Sequence, residues 1–250
     1  MTAPLPTSED LGVLSESVAP IVSYFRSHPL PHQGAPLLYL SLSELPRDRL
    51  PDVIESVTCA EDMFSEDRAK RDSERVNTHI TQEQTHNADV LLGLVYLMVG
   101  GVDEAHDLVL PYSLPFDSEW GAPAVLDSPA LGNATYAHGL VHRTEGRHVG
   151  ELGMVGWENA RSWFGETPQD HRLFSRFSKI CSATVSNCEL GPDDRELCEK
   201  VRGEKAWSWN SQMDLFTAGS QGLGVLCDRL HNLEVEMIFQ HCNMIVNTIR

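Results

Sequence analysis

Residues 88–101 read ADVLLGLVYLMVGG, and the reading of this run decides the fold. From Ala88 to Val99 apolar side chains occupy every face of a helix rather than one stripe, which predicts a central buried helix. The stretch Val90 to Val99 is the most hydrophobic in the chain, yet it falls well short of the roughly 20 residues that a bilayer span takes. Gly100-Gly101 stops it as a C-terminal cap does, and a short helix, Val102 to Leu110, is predicted beyond.

Outward from this centre, most segments carry helical spacing. Leu11, Leu14, Val18, Ile21, Val22 and Phe25 predict an amphipathic helix that opens at Ser8-Glu9-Asp10 and ends before Pro29. Leu50, Val53, Ile54, Val57, Ala60 and Phe64 predict another, whereas the charged stretch Ser65 to Glu83 has no clear period. Helices are predicted over Ala134 to Thr144, Trp157 to Phe164, Gln169 to Cys181, the charged DDRELCEK stretch, and Val225 to Ile249. Strand-like alternation is scarce, and Leu37 to Leu42 is its best instance. Residues 111–131 carry four prolines and no period, which predicts a long loop and a candidate lid. The chain therefore reads as mainly α, a single helical domain over residues 1–250 with residues 1–7 as a disordered tail.

Composition narrows the function classes. With 19 Lys+Arg against 36 Asp+Glu the formal charge is −17, which argues against nucleic acid and against an anionic membrane surface. The start, MTAPLPTSEDLG, lacks the basic and apolar regions of a secretory leader, and the six cysteines form no C-x-x-C pair. These features predict a cytoplasmic protein with reduced thiols.

The chemistry-bearing letters concentrate around residues 103–164. His138, His142 and Glu145 stand at i, i+4 and i+7, so a helix turns them to one side. Two imidazoles and a carboxylate suit a divalent metal such as zinc or iron, and an acid/base pair needs the same closeness. The competing reading is a pair of hydrogen-bonded core histidines beside Leu140 and Val141. Asp103-Glu104-Ala105-His106 matches a helicase box in letters only, because no G-x-x-x-x-G-K-[ST] loop exists to hold nucleotide phosphates. Its geometry is more useful: Asp103 and His106 at i, i+3 let a carboxylate orient an imidazole, unless Asp103 or Glu104 serves only the helix dipole. Arg143 and Arg147 offer guanidinium forks for a substrate anion, or pair with local acids such as Glu145 or Glu151. Trp157, Asn159, Trp163 and Phe164 make an aromatic cluster with one amide, either core or pocket wall. Asn159 and Trp163 are its candidate substrate contacts. Serine and cysteine nucleophile motifs are absent, as is a dinucleotide loop.

Three of these stretches together resemble an uncharacterised microbial and fungal family with the motifs D-E-[SA]-H, H-A-x-x-H-R-x-E and N-x-x-[YW]-[WF]. They are Asp103 to His106, Ala137 to Glu145 and Asn159 to Phe164, and Leu233 to Phe239 is similar to a late segment of the same family. The resemblance covers the middle and the last fifth of the chain. It implies shared residues and no activity. The tract from Gly146 to Gly156 is longer than the family spacing.

The expectation is a helical enzyme acting on a small polar metabolite by hydrolysis, elimination or isomerisation. His106, His138, His142, Glu145 and Asp103 would carry acid/base or metal chemistry, and Arg143 would hold an anionic group. The competing expectation is a non-catalytic helical module that binds a ligand or partner and buries the same residues in a polar network.

Overall fold

A computed structural model of the chain describes residues 18–30, 63–64, 80–113, 124–146, 151–203, 205 and 208–248, without the side chains of 151–154, 217 and 218. Several expectations lie outside these residues: the Leu37 to Leu42 alternation, the helix from Leu50 up to Met63, the start of the first helix, Arg147, and positions 114–123 of the proline-rich segment. Within them the fold is mainly α. The helices are α1 (Ala19–Ser27), α2 (Gln82–Met98), α3 (Val102–Ser113), α4 (Leu131–Gly146), α5 (Glu151–Glu166), α6 (Arg172–Ser186), α7 (Pro192–Arg202), α8 (Ser208–Ser211) and α9 (Gln221–Asn247). A 3-10 helix spans Met213–Ala218, and no strand occurs among the described residues.

The apolar run that opened the reading is the middle of the core. Val90, Leu91, Leu94, Val95 and Leu97 on α2 are buried, against α1 on one side and α3, α4 and α9 on others. Each such side chain contributes about 1.5–3 kcal/mol by leaving water. The helix starts earlier than its apolar run, because Thr81 and Gln84 form a reciprocal capping box that satisfies the first free amides. Its end follows the two-glycine signal. Gly100 takes φ +94°, and the amides of Gly100 and Gly101 reach back to Leu97 O at 3.1 Å and Tyr96 O at 2.9 Å. That pair of bonds is a Schellman cap, and it reverses the chain so that α3 packs on α2. Gly93 lets them close, since a Cβ there would lie 3.0 Å from Val109 Cγ1.

α3 departs from expectation in its length. It does not stop at Leu110 but carries Pro111 inside its last turn and ends at Ser113. A proline costs a helix one amide donor, which is cheapest near a terminus. The Ser113 hydroxyl bonds Leu110 O at 2.9 Å and closes that turn. Residues 111–113, expected in the proline-rich loop, thus belong to α3, and α4 begins at Leu131.

α4 and α5 approach closely because glycines remove side chains at their crossing. A Cβ on Gly139 would meet the Phe164 ring at 2.9 Å, and one on Gly156 would meet His142 O at 2.8 Å. α9 lies against α2 and α4 and closes the core with Val235, Ile238, Phe239 and Cys242, all buried. Among the described residues no helix is long and apolar enough to cross a membrane.

Candidate metal and acid/base centre

α4 has two faces of opposite chemistry. Successive residues turn by about 100° on a helix, so His138 and Arg143 point roughly 140° apart while His138, His142 and Glu145 stay together. The histidine side meets α3 and α5. The arginine side meets α8 and α9.

On the histidine side, His106 from the middle of α3 joins His138 and His142. The ring centroids lie 4.7 Å apart for His106 and His138, 5.4 Å for His106 and His142, and 4.8 Å for His138 and His142. One nitrogen from each of the three imidazoles lies within 4.8 Å of the others. His106 is therefore a full member of the group. Asp103 is exposed in the first turn of α3, where the helix dipole favours an acid.

The hydrogen bonds decide which nitrogens face one another. Ser113 donates to Leu110 O, so its oxygen accepts from Nδ1–H of His138 at 2.8 Å. That bond fixes the tautomer and leaves Nε2 with a bare lone pair. His138 is completely buried, and its Nε2 has no hydrogen-bond partner. On His142, Nδ1 donates to Glu145 Oε2 at 2.6 Å. Glu145, expected beside the imidazoles, thus stands behind one of them, and the third imidazole comes from α3 instead. A carboxylate in that position orients a ligating ring and raises its basicity. His106 faces Asp107 only loosely, Nδ1 to Oδ1 being 3.7 Å.

Burial holds His138 well below the ordinary imidazole range, and the neighbouring His142 and His106 push it further down. His106 is lowered as well, by burial first and His142 second, while the carboxylates of Glu145 and Asp107 pull the other way. Both shifts favour the uncharged ring at His138 and at His106, with a lone pair on each. Such lone pairs repel one another unless a proton or a cation lies between them. Three imidazole nitrogens are the donor set of many zinc and other divalent transition-metal sites. Zn–N bonds of about 2.0–2.1 Å would draw the nitrogens somewhat closer than they stand here, roughly to 3.4 Å.

α5 supplies the wall. Trp163 stacks on His138 with centroids 3.9 Å apart and planes 21° from parallel. Asn159 is half-buried one turn earlier on the same helix. Of the other aromatics, Phe164 and Trp157 are buried against α4 and belong to the core.

Arg143 differs most from expectation. It is fully buried, and it pairs with Glu234 of α9, donates from Nε to His231 Nδ1 at 3.0 Å, and reaches Asn210 O and Met213 Sδ at 3.2 Å each. Thr144 and His231 Nε2 are 3.1 Å apart, and Tyr136 and Asn210 complete the group around Glu234. A guanidinium so held has no exposed edge for a substrate anion. Its position alone, one residue past His142, placed it on the wrong side of the helix for that role.

Sequence reasoning missed Ser113, which had no signal beyond being a serine two positions after a proline. It also missed a third polar group. There His171 Nε2 donates to Asn133 Oδ1 at 3.0 Å, and Asn133 donates to Asn87 Oδ1 at 2.6 Å. Arg172 meets His241 beside them.

Comparison with known proteins adds nothing to this geometry: no family model, no curated protein and no solved structure matches the chain.

Proposed function

We propose that this chain is a divalent-metal-assisted enzyme of the hydrolase, lyase or isomerase type acting on a small polar metabolite. The observation that carries the reading is the convergence of one nitrogen from each of three imidazoles, among them the buried and unpartnered Nε2 of His138, whose other nitrogen is taken up by Ser113. An unpartnered buried polar atom costs about 1–3 kcal/mol, which an ion bound at that nitrogen would offset. His106, His138 and His142 would hold the ion, with Ser113 and Glu145 orienting two of the rings from behind. Such an ion, when bound, supplies Lewis acidity and lowers the pKa of a coordinated water. Trp163 covers the flat face of His138 and keeps water from it, while His106, its side chain 30% exposed, marks the side from which a small molecule enters.

A non-catalytic module describes the Arg143 side of α4 well, where the buried charges of Arg143 and Glu234 pair with each other and only Asn210 Oδ1 of that group stands unpartnered. It does not describe the histidine side, where the network is open.

The test is stoichiometry. Protein stripped with a chelator and reconstituted separately with zinc and ferrous iron should retain one of them at an equimolar ratio. His138→Ala and His106→Ala should lose it. Equal retention by His138→Ala would remove the metal from the reading. A thermal-stabilisation screen of metabolites on the loaded protein, with His142→Ala as control, would then search for the substrate class.

A further inference from the structure

We infer that this centre, once it holds its divalent ion, takes its ligand through an anionic oxygen such as that of a small carboxylate. The inference rests on the proposed metal site and concerns what meets the ion on its open side.

Charge around the imidazoles leads there. The three donors are neutral rings, so the ion's two positive charges enter a largely buried place without a thiolate or carboxylate among the donors. Among the described residues Glu145 and Asp107 are the carboxylates beside the rings, and Glu145 is committed to Nδ1 of His142 on the far side of that ring. The Asp107 carboxylate is 85% exposed, so water screens it. A buried charge compensated only in part is costly, and an anion in the remaining position relieves it.

The cations of the neighbouring helices are occupied elsewhere. Arg143 is turned away into its pair with Glu234, and Arg161 of α5 bonds Asp214 at 2.5 Å. Among the described residues, the titratable neighbours that act on His138 are the other two imidazoles, with no cationic side chain among them. Among the described residues a substrate anion therefore finds no guanidinium here, and the ion itself is the positive charge it meets. The overall charge of −17 gives no long-range attraction for anions, so discrimination is local to the ion. Trp163 and the buried rings leave the edge at His106 as the approach, which suits a small group.

Cobalt(II) reports this directly through its visible ligand-field spectrum. The full chain loaded with cobalt would be titrated with acetate and, in parallel, with acetamide, which has nearly the same shape and no charge. Acetate should change the spectrum saturably, and acetamide at equal concentration should not. Glu145→Gln keeps an acceptor for His142 but removes its charge. It should weaken cobalt by about 10–100-fold while tightening acetate several-fold, opposite directions that a simple loss of structure cannot produce. Acetamide matching acetate, no acetate response in protein that has taken up cobalt, or weaker acetate binding in the loaded variant would each overturn the inference alone. Failure of the wild-type chain to take up cobalt, or undiminished uptake by His138→Ala, would overturn the metal site and this inference with it.

Discussion

The two faces of α4 are built from the same kinds of residue and end in opposite states. On one, Arg143, Glu234, His231, Asn210 and Tyr136 bond one another in a buried network that joins α4 to α8 and α9. On the other, His106, His138 and His142 bring ring nitrogens together, and the hydrogen bonds of His138 and His142 are spent on the outer side, to Ser113 and Glu145. A network whose buried charges pair with each other needs no ligand to neutralise them. One that aims its unsatisfied atoms inward is complete only with something added. On the function proposed above, the contrast separates a structural role from a catalytic one on a single helix.

Breaking the arginine side should have the largest effect. Arg143→Ala leaves the Glu234 carboxylate buried without its cation, and urea unfolding should show a loss of about 3–5 kcal/mol, the same with or without zinc. A loss under 1 kcal/mol would mean the network is not structural. Next comes the histidine side. Zinc in hundredfold excess over its dissociation constant should stabilise the wild-type chain by about 2.7 kcal/mol and leave His142→Ala unmoved, in paired thermal or urea melts. Equal stabilisation of both proteins would erase the distinction between the faces.

The supporting residues sharpen it further. Ser113→Ala removes the hydroxyl that sets the His138 tautomer. It should weaken zinc by roughly tenfold in a competition titration while costing the metal-free fold about 1 kcal/mol. An unchanged zinc affinity would show that the tautomer is set some other way.

An effect of similar size is on acid stability and comes from the third polar group. Burial and the Arg172 guanidinium push His171 down to about 4 and His241 down to about 3, so both rings are neutral when folded and become protonated below about 6.5 once unfolded. The unfolded chain then binds more protons, and stability falls as pH drops from about 6.5 toward 4. With partial exposure taken into account, urea unfolding in chelator should lose of order 1–2 kcal/mol between pH 7 and 5. His241→Asn should flatten that slope. A flat wild-type profile would contradict the placement of these rings.

Much of the fold was legible in the letters. The all-apolar run at Ala88 to Val99 was a buried helix, the glycine pair was its cap, and Thr81-Gln82-Glu83-Gln84 spells a capping box that an apolar period alone passes over. The tight crossing of α4 and α5 also has its glycines in plain view, although which of them face a neighbour is settled only by the packing. Where α3 ends was not legible, because a proline near a helix terminus reads as a stop unless the following turn is held by something else, here the Ser113 hydroxyl.

What the sequence determined by itself was local: helical class, most of the long helices, and the fact that His138, His142 and Glu145 share a side. Spacing along a helix fixes relative direction within that helix and nothing beyond it. That His106 rather than Glu145 completes the imidazole group, that Ser113 sets a tautomer, and that Arg143 is consumed by Glu234 were decided by how α3, α5 and α9 pack around α4. Those contacts join residues up to 91 positions apart, and their partners are chosen by burial and charge compensation in three dimensions.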